Sequence, residues 1–519
     1  MGYKAKFLKN GLVLTAVALI MRSVGMLFGA FISKEVGAEG TGLYTVVTTV
    51  YSFAVTLATS GVSLTVTRHV ASLVGEKKDG DIVGVLRAAI IYSLFFSLLA
   101  TLLLSLGAGV IGSYILRDGR TVKSLRILSL SLIPIALGSV LSGYFVGVKR
   151  VGFNAAVQVI TQLLRVAVTV VLVLRASGQG IAAAVEAICV GATLTEVIGL
   201  LLLFIEYIID RRIHRAERVA ESEAGQLRRV AGTALPLAFS AYFRSALLNI
   251  EHILIPRKLM ERGESSQESY SHYGSLHGMA LPMILYPMTV LSSFSGLLVP
   301  EFAGDLAAGN KKRMSRIASS ALNTALFYAV ISAVLLYGFS EELGYTVYGS
   351  YDAGRYIALL SPIVPIMYLD HVTDQMLKGV GDQVFSMWVN ITDSMISVLL
   401  VWLLIPRMGI AGYAVVIVVM EGYNFLLSYI RLRRRVSFRI DLLSSALAPL
   451  ALAALSVSVS HLLFPFAGSG VGGGWLTAKL VFAASLFIAL TTIAALLKSS
   501  LLKKHKNAEK TREQALTGQ

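Results

Sequence analysis

Apolar runs about 20 residues long recur from one end of this chain to the other, and nothing else in its 519 residues limits the fold as tightly. A hydrocarbon core about 30 Å thick is crossed by roughly 20 helical residues. Length alone would suggest three or four soluble domains. A composition with 55% hydrophobic and 15% charged residues overrules that expectation. The chain reads as an all-α polytopic membrane protein of about 14 transmembrane helices. They lie near residues 11–33, 42–64, 87–110, 124–147, 154–174, 181–207, 231–256, 272–298, 317–339, 355–377, 384–405, 410–430, 441–464 and 475–498. The first run follows Lys4, Lys6 and Lys9, as the core of a signal peptide would. Its length and its lack of a small-residue cleavage site make it an uncleaved first span.

The formal net charge of +16 raises nucleic acid as a partner. Such binding needs a contiguous basic surface, and here the basic residues sit in short clusters between apolar runs. "DRRIHRAERV", "GNKKRMSR", "RLRRRVSFR" and "KKHKNAEK" are examples. No nucleic-acid partner is expected. The same clusters set an orientation, because cytoplasmic loops are enriched in lysine and arginine. With both termini cytoplasmic, 31 of the 46 lysines and arginines fall inside and 12 outside. The segment "LRDGRTVKSLR" runs against that bias. Arg22, Arg165 and Arg244 remain deep in spans. The single cysteine, Cys189, excludes an intramolecular disulfide.

The chain also repeats itself. "SLSLIPIALGSV" at 129–140 resembles "LLSPIVPIMYLD" at 359–370, bringing Pro134 over Pro365. "LVGEKKDGD" resembles "LAAGNKKRM", and "LIMRSVGML" resembles "AYFRSALLN", bringing Arg22 over Arg244. Spans 1–6 therefore match spans 7–12, as two six-helix lobes with two extra C-terminal helices. The boundaries read as 1–210 for the N-terminal lobe, 211–230 for a basic cytoplasmic linker and 231–440 for the C-terminal lobe. Spans 13 and 14 occupy 441–498, followed by a basic cytoplasmic tail at 499–519. An even number of spans per unit makes the repeats parallel, a design whose binding site lies between the halves at mid-depth.

Candidate binding residues follow from the repeat. A guanidinium at mid-bilayer depth costs roughly 2.5–3.5 kcal/mol on insertion scales, so Arg22 and Arg244 should face protein or a wet cavity. Their planar forks suit phosphate oxygens. The alternative is that each is paired with an acid in its own half, Glu251 being a candidate for Arg244. Asn154, Gln158, Thr161 and Arg165 share one helical face. At a constant offset of about 232 stand Ser386, Asn390, Asp393 and Ser397. Both stripes read either as cavity lining, which makes Arg165, Asn390 and Asp393 substrate contacts, or as interhelical hydrogen-bond glue. Asp370, Asp374 and Lys378 share a face of span 10 with His371 alongside. They form either a Na⁺ or H⁺ coupling site or a structural ion pair. Pro282 and Pro287 in "LPMILYPM" predict a kink or a broken helix in span 8.

No enzyme signature survives inspection. "GSGVGGG" follows no strand and reads as a loop, and there is no GxxxxGK[ST], HExxH or CxxC. Neither a cofactor nor a metal is expected, and no ATP engine is encoded.

The segment "RSVGMLFGAFISKEVGAEGTGLYT" resembles the N-terminal signature of polysaccharide transporters. An arginine in span 1 is followed by small residues and a turn built on Gly37, Gly40, Gly42 and Tyr44. With fourteen spans, twelve of them repeated, the chain resembles the multidrug/oligosaccharidyl-lipid/polysaccharide exporter superfamily, in particular the stage V sporulation protein B group and lipid II flippases. The resemblance implies an alternating-access cavity passing undecaprenyl-pyrophosphate-linked saccharides outward across the bacterial cytoplasmic membrane. It implies a functional role for Arg22 and a lipid-tail groove formed by spans 13 and 14. A second span-1 arginine of lipid II flippases is replaced here by Phe28. Two rival readings are a cation-coupled drug antiporter of the same superfamily and a scaffold for cell-envelope biosynthesis proteins that docks through 208–230.

Overall fold

The computed structural model describes residues 3–75, 81–148, 150–176, 178–213, 223–295, 298–464 and 474–493. These residues are helical nearly throughout, with no strand among them. Eleven stretches of them are long and apolar enough to cross a membrane. The protein is an all-α, multi-pass membrane protein.

The first stretch, Ile20–Val74, holds two of the expected spans. Helix α1 (Tyr3–Thr59) breaks at Gly37, where φ is 71° and ψ is −175°. A side chain at that position would be strained, so glycine sets the turn between spans 1 and 2. Helix α2 (Val62–Gly75) extends span 2 past a second break at Ser60 and Gly61, both with positive φ. Ser60 is held by Tyr242, hydroxyl to hydroxyl, and its carbonyl accepts from the Tyr92 hydroxyl at 3.3 Å.

Span 3 is α3 (Ile82–Val110), running into a π-helical turn at Ile111–Ile115. Span 4 is split into α4 (Thr121–Ser129) and α5 (Leu132–Gly147). Spans 5 and 6 are α6 (Val151–Ala176) and α7 (Ile181–Ile213). Helix α8 (Glu223–Glu261) matches expected span 7 but falls outside the eleven apolar stretches, because Gln226, Arg228, Arg229, Arg244, Asn249 and Glu251 interrupt it.

Span 8 is the broken helix that its prolines foretell. Helix α9 (Ser266–Tyr273) opens with a capping box between Ser265 and Glu268 and passes into a π-helical turn, Gly274–Ala280. Short pieces follow as α10 (Leu281–Leu285), α11 (Met288–Ser295) and α12 (Leu298–Ala307). Backbone carbonyls at the break find side-chain donors, as buried irregular backbone in a membrane must. The Tyr368 hydroxyl donates to Ile284 O at 2.7 Å, and the Tyr328 hydroxyl to Pro287 O at 2.9 Å.

The remaining helices are α13 (Lys311–Gly338), α14 (Ser340–Tyr348), α15 (Tyr351–Leu360), α16 (Val364–Gly379), α17 (Gln383–Met408), α18 (Ile410–Arg435), α19 (Ala448–Leu463) and α20 (Gly474–Ile493). Their breaks echo those of the first half. Span 10 is interrupted between α15 and α16 just before Pro365, as span 4 is between α4 and α5 just before Pro134. Both α5 and α16 have 16 residues, and both α6 and α17 have 26.

Contacts divide the chain into two compact units: residues 1–282 with 387–420, and residues 283–386 with 421–519. The first unit is packed around Val66, Val70, Leu86, Val140 and Tyr144, joined by Val230 and Ala234 of α8. In the same unit α1 meets the end of α9 backbone to backbone. A Cβ on Gly42 would stand 1.9 Å from Tyr270 O, and one on Gly274 2.2 Å from Ala38 O. The second unit centres on Leu322, Leu326, Val372, Met376 and Leu432. The tail at 499–519, residues 214–222 of the basic linker and the glycine run at 468–473 lie outside the described residues.

Candidate functional site

Arg22 lies about 15 residues before the Gly37 break, or roughly 22 Å at 1.5 Å per residue. Arg244 lies about 17 residues before the end of α8 at Glu261, which gives it a similar depth. Both residues are exposed. Among the described residues no carboxylate pairs with either. Helix α8 packs along the second arm of α1 at this level: Thr56 and Ser245 share a hydrogen bond of 3.3 Å, and the Tyr242 hydroxyl donates to Leu57 O at 3.3 Å. Glu251, the acid that sequence spacing offered to Arg244, is buried and hydrogen-bonds Ser397 of α17 instead. Among the described residues no acid occupies their guanidinium donors, the arrangement that phosphate recognition requires.

The first unit contains a cavity of about 630 Å³. The span-5 stripe forms one wall, with Asn154, Gln158, Thr161 and Arg165 all on its lining. Ser139 and Ser142 of α5 add hydroxyls, and Met21 brings the cavity to the residue beside Arg22. The positive charge on this wall is compensated, because Arg165 is bonded to Glu196 of α7. Sequence spacing read Arg165 as a substrate contact in a cavity or as interhelical hydrogen-bond glue. The structure joins Arg165 to Glu196, leaving a lining of amides and hydroxyls around a neutral ion pair.

The matching stripe in span 11 behaves differently. Ser386 and Ser397 are buried, Ser397 through its bond to Glu251. Asn390 and Asp393 are half-buried and engaged by neighbouring groups. In span 10, Asp374 pairs with Lys378 at 2.6 Å, the ion-pair arrangement. Asp370 is half-buried and also engaged. No group of three or more His, Cys, Asp or Glu residues that would hold a metal ion occurs among the described residues.

Three of the four cations in the basic segment that defies the charge bias are paired with acids. Arg120 binds Asp118 and Glu39, each at 2.7 Å, Arg117 lies 3.8 Å from Glu261, and Lys123 pairs with Glu186. Hydrogen bonds that Arg120 donates to Asp118, opposed by burial and reinforced by Glu39, push the already high Arg120 pKa further up. Ser266, at the start of α9, donates to Asp118 at 3.3 Å. Only Asp118 was adjacent in sequence; the other acids come from distant segments, with no local signal.

Comparison with known proteins agrees with this architecture. The polysaccharide biosynthesis protein family matches residues 7–304, and the MatE family matches residues 278–403. Stage V sporulation protein B of Bacillus subtilis (strain 168) is 25% identical over 420 residues, covering 80% of this chain and 81% of that protein. Lipid II flippase MurJ of the same organism is 23% identical over 464 residues, 85% of each chain. Among solved structures, MurJ in an inward closed conformation superposes with a TM-score of 0.69 at 13% identity, covering 93% of this chain and 98% of that one. An inward-facing multidrug resistance transporter of the MATE family gives 0.63 at 15% identity, covering 81% and 98%. The chain belongs to the polysaccharide biosynthesis protein family, is similar to stage V sporulation protein B and MurJ, and shares the fold of the MurJ and MATE structures.

Proposed function

We propose that this transporter is a flippase for polyprenyl-pyrophosphate-linked saccharides such as lipid II or another lipid-linked oligosaccharide. It works by alternating access in the bacterial cytoplasmic membrane with both termini inside. The observation that carries this reading is the pair of arginines, Arg22 and Arg244, which no acid among the described residues compensates, on spans equivalent by the repeat. Two fixed positive charges at similar depth suit a diphosphate, which cannot cross a hydrocarbon core without such partners. The neutral amide and hydroxyl wall of Asn154, Gln158, Thr161 and Ser142 suits sugar hydroxyls beside it. The polyprenyl tail needs no polar cavity and stays in lipid. Asn390 and Asp393 take part as polar support on span 11, and any Na⁺ or H⁺ coupling through Asp370 and Asp374 would act on the same cycle.

A cation antiporter needs an acid deep in the substrate path. Within spans 1 and 2 the described acids are Glu35 and Glu39, both beside the Gly37 turn and away from mid-depth. The test is a liposome assay with purified protein. Labelled lipid II and other polyprenyl-pyrophosphate sugars should be translocated at rates well above protein-free vesicles, while polyprenyl monophosphate is moved at least several-fold more slowly. Efflux of organic cations with no movement of any polyprenyl-linked sugar would overturn the proposal.

A further inference from the structure

In the second unit, the chain leading from α18 into α19 is laid along the first turns of α13. Arg439 N donates to the Ser319 hydroxyl at 3.0 Å, and Asn323 Nδ2 donates to Arg439 O at 3.0 Å. Asn323 Oδ1 accepts from Asp441 N at 2.8 Å and from the Ser445 hydroxyl at 3.0 Å. Arg433, near the end of α18, holds the same chain through Phe438. It donates to Phe438 O, and its guanidinium lies 5.2 Å from the centre of the Phe438 ring. The segment is thus fixed against two helices rather than left as a loose connection.

These bonds gather cations. Lys312, Arg316, Ser319 and Asn323 follow at spacings of four, three and four, which is one helical face. Arg439 is fastened to that face at Ser319, so Lys312, Arg316 and Arg439 make one exposed cluster. Acids of the same unit are spent on other partners. Glu301 and Asp305 bind Arg313, Asp382 binds Arg431 and Arg435, and Asp441 accepts from the backbone of Leu443 and Ser444. Among the described residues no acid pairs with Lys312, Arg316 or Arg439. Asn323, where Ser445 docks, lies about one turn further into the membrane than Ser319. There the π-helical turn Leu443–Leu447 opens the span of α19, and Leu442, Leu443 and Leu447 are 62%, 70% and 57% exposed.

We propose that Lys312, Arg316 and Arg439 bind the headgroup of an anionic phospholipid whose acyl chains lie against Leu442, Leu443 and Leu447. Guanidinium forks take phosphodiester oxygens in pairs, and the lysine adds a third charge. Basic clusters at the ends of spans attract anionic headgroups. The leucines decide between this occupant and an acidic protein. They stand deeper than the charges, at the level of hydrocarbon, where acyl chains reach and a water-borne partner does not. A bound headgroup bridges α13 and the chain entering α19. The proposal needs only the membrane-spanning fold and is independent of what the protein carries.

Native mass spectrometry of the full-length protein, equilibrated in detergent with equal amounts of phosphatidylglycerol and phosphatidylcholine, tests it. The wild type should retain phosphatidylglycerol over phosphatidylcholine by about tenfold or more. The triple variant Lys312→Gln, Arg316→Gln, Arg439→Gln should lose most of that preference, and Arg316→Lys with Arg439→Lys should keep most of it. Glycerol phosphate, which offers the charge without the chains, should not displace the lipid. A second measurement uses the wild type alone, so it survives a variant that misfolds. Phosphatidylglycerol with a photoreactive group high on one acyl chain should label residues 442–447 in liposomes. Equal retention of the two lipids, an unchanged preference in the glutamine variant, displacement by glycerol phosphate, or labelling confined to other segments would each overturn the proposal. An unchanged preference would leave the cluster to a protein partner or to orienting the chain.

Discussion

At the scale of single residues, what distinguishes Arg22 and Arg244 from Arg165 is not depth but company. All three interrupt apolar runs; sequence spacing set Arg22 and Arg244 as the matched pair of the repeat and Arg165 on the polar stripe of span 5. Arg165 has Glu196 one helix away; the other two have no described acid. That difference was illegible in the sequence, because Glu196 is 31 residues from Arg165 and the pairing depends on how α6 lies against α7. Glu251 misled for the converse reason. It shares a helical face with Arg244 by count, yet α17 supplies Ser397 and turns the carboxyl to a hydroxyl partner. The Arg165–Glu196 pair should behave as a coupled unit. In a cycle of Arg165→Met, Glu196→Gln and the double variant, thermal unfolding in detergent should give an interaction energy of about 0.5–3 kcal/mol, with the double variant more stable than the sum of single losses implies. Strict additivity would show that the two groups do not depend on one another.

At the scale of elements, most of the helical plan was readable. Hydrophobic length located the spans, and the prolines of span 8 marked its break; the Pro134–Pro365 match disclosed the repeat, while the corresponding interruptions of spans 4 and 10 were not foreseen. The extension of span 2 past Ser60 was not readable, because a serine with positive φ is stabilised by Tyr242 and Tyr92 from other helices. Nor was the attachment of the last helix. Lys479 of α20 is wholly buried and donates to Glu342 at 2.7 Å and to His461 Nδ1 at 2.9 Å, while His461 Nε2 donates to Gly338 O at 2.8 Å. This cluster fastens spans 13 and 14 to the end of span 9. Lys479→Met leaves the buried Glu342 carboxylate without its lysine, with His461 Nδ1 3.6 Å away, and should cost about 3–5 kcal/mol. Adding Glu342→Gln should restore much of that loss in the same unfolding measurement. A single variant as stable as the wild type would mean that the lysine contributes nothing to holding α20.

At the scale of the whole molecule, charge placement ties loops to spans. Asp382, between α16 and α17, accepts paired hydrogen bonds from Arg431 and Arg435, all between 2.9 and 3.0 Å. Arg435 first, and Arg431 after the opposing effect of burial, hold its pKa below the ordinary carboxylate value. A depressed folded-state pKa contributes stability above the unfolded value, about 3.9, and loses it as pH falls through the folded value. Thermal stability should therefore carry an acid-side loss that Asp382→Asn reduces, with no difference in slope between the two proteins from pH 6 to 8. The net charge of +16 could be read from composition, but its division into paired and unpaired cations could not, and the unpaired ones carry the function proposed here. The most direct test is the flipping rate of a labelled polyprenyl-pyrophosphate sugar in liposomes containing Arg22→Ala, Arg22→Lys, Arg244→Ala or Arg244→Lys protein, each inserted to wild-type levels. Both alanine variants should lose at least tenfold in rate and the lysine variants less, because charge remains while the two-pronged donor is lost. Wild-type rates in both alanine variants would contradict the account.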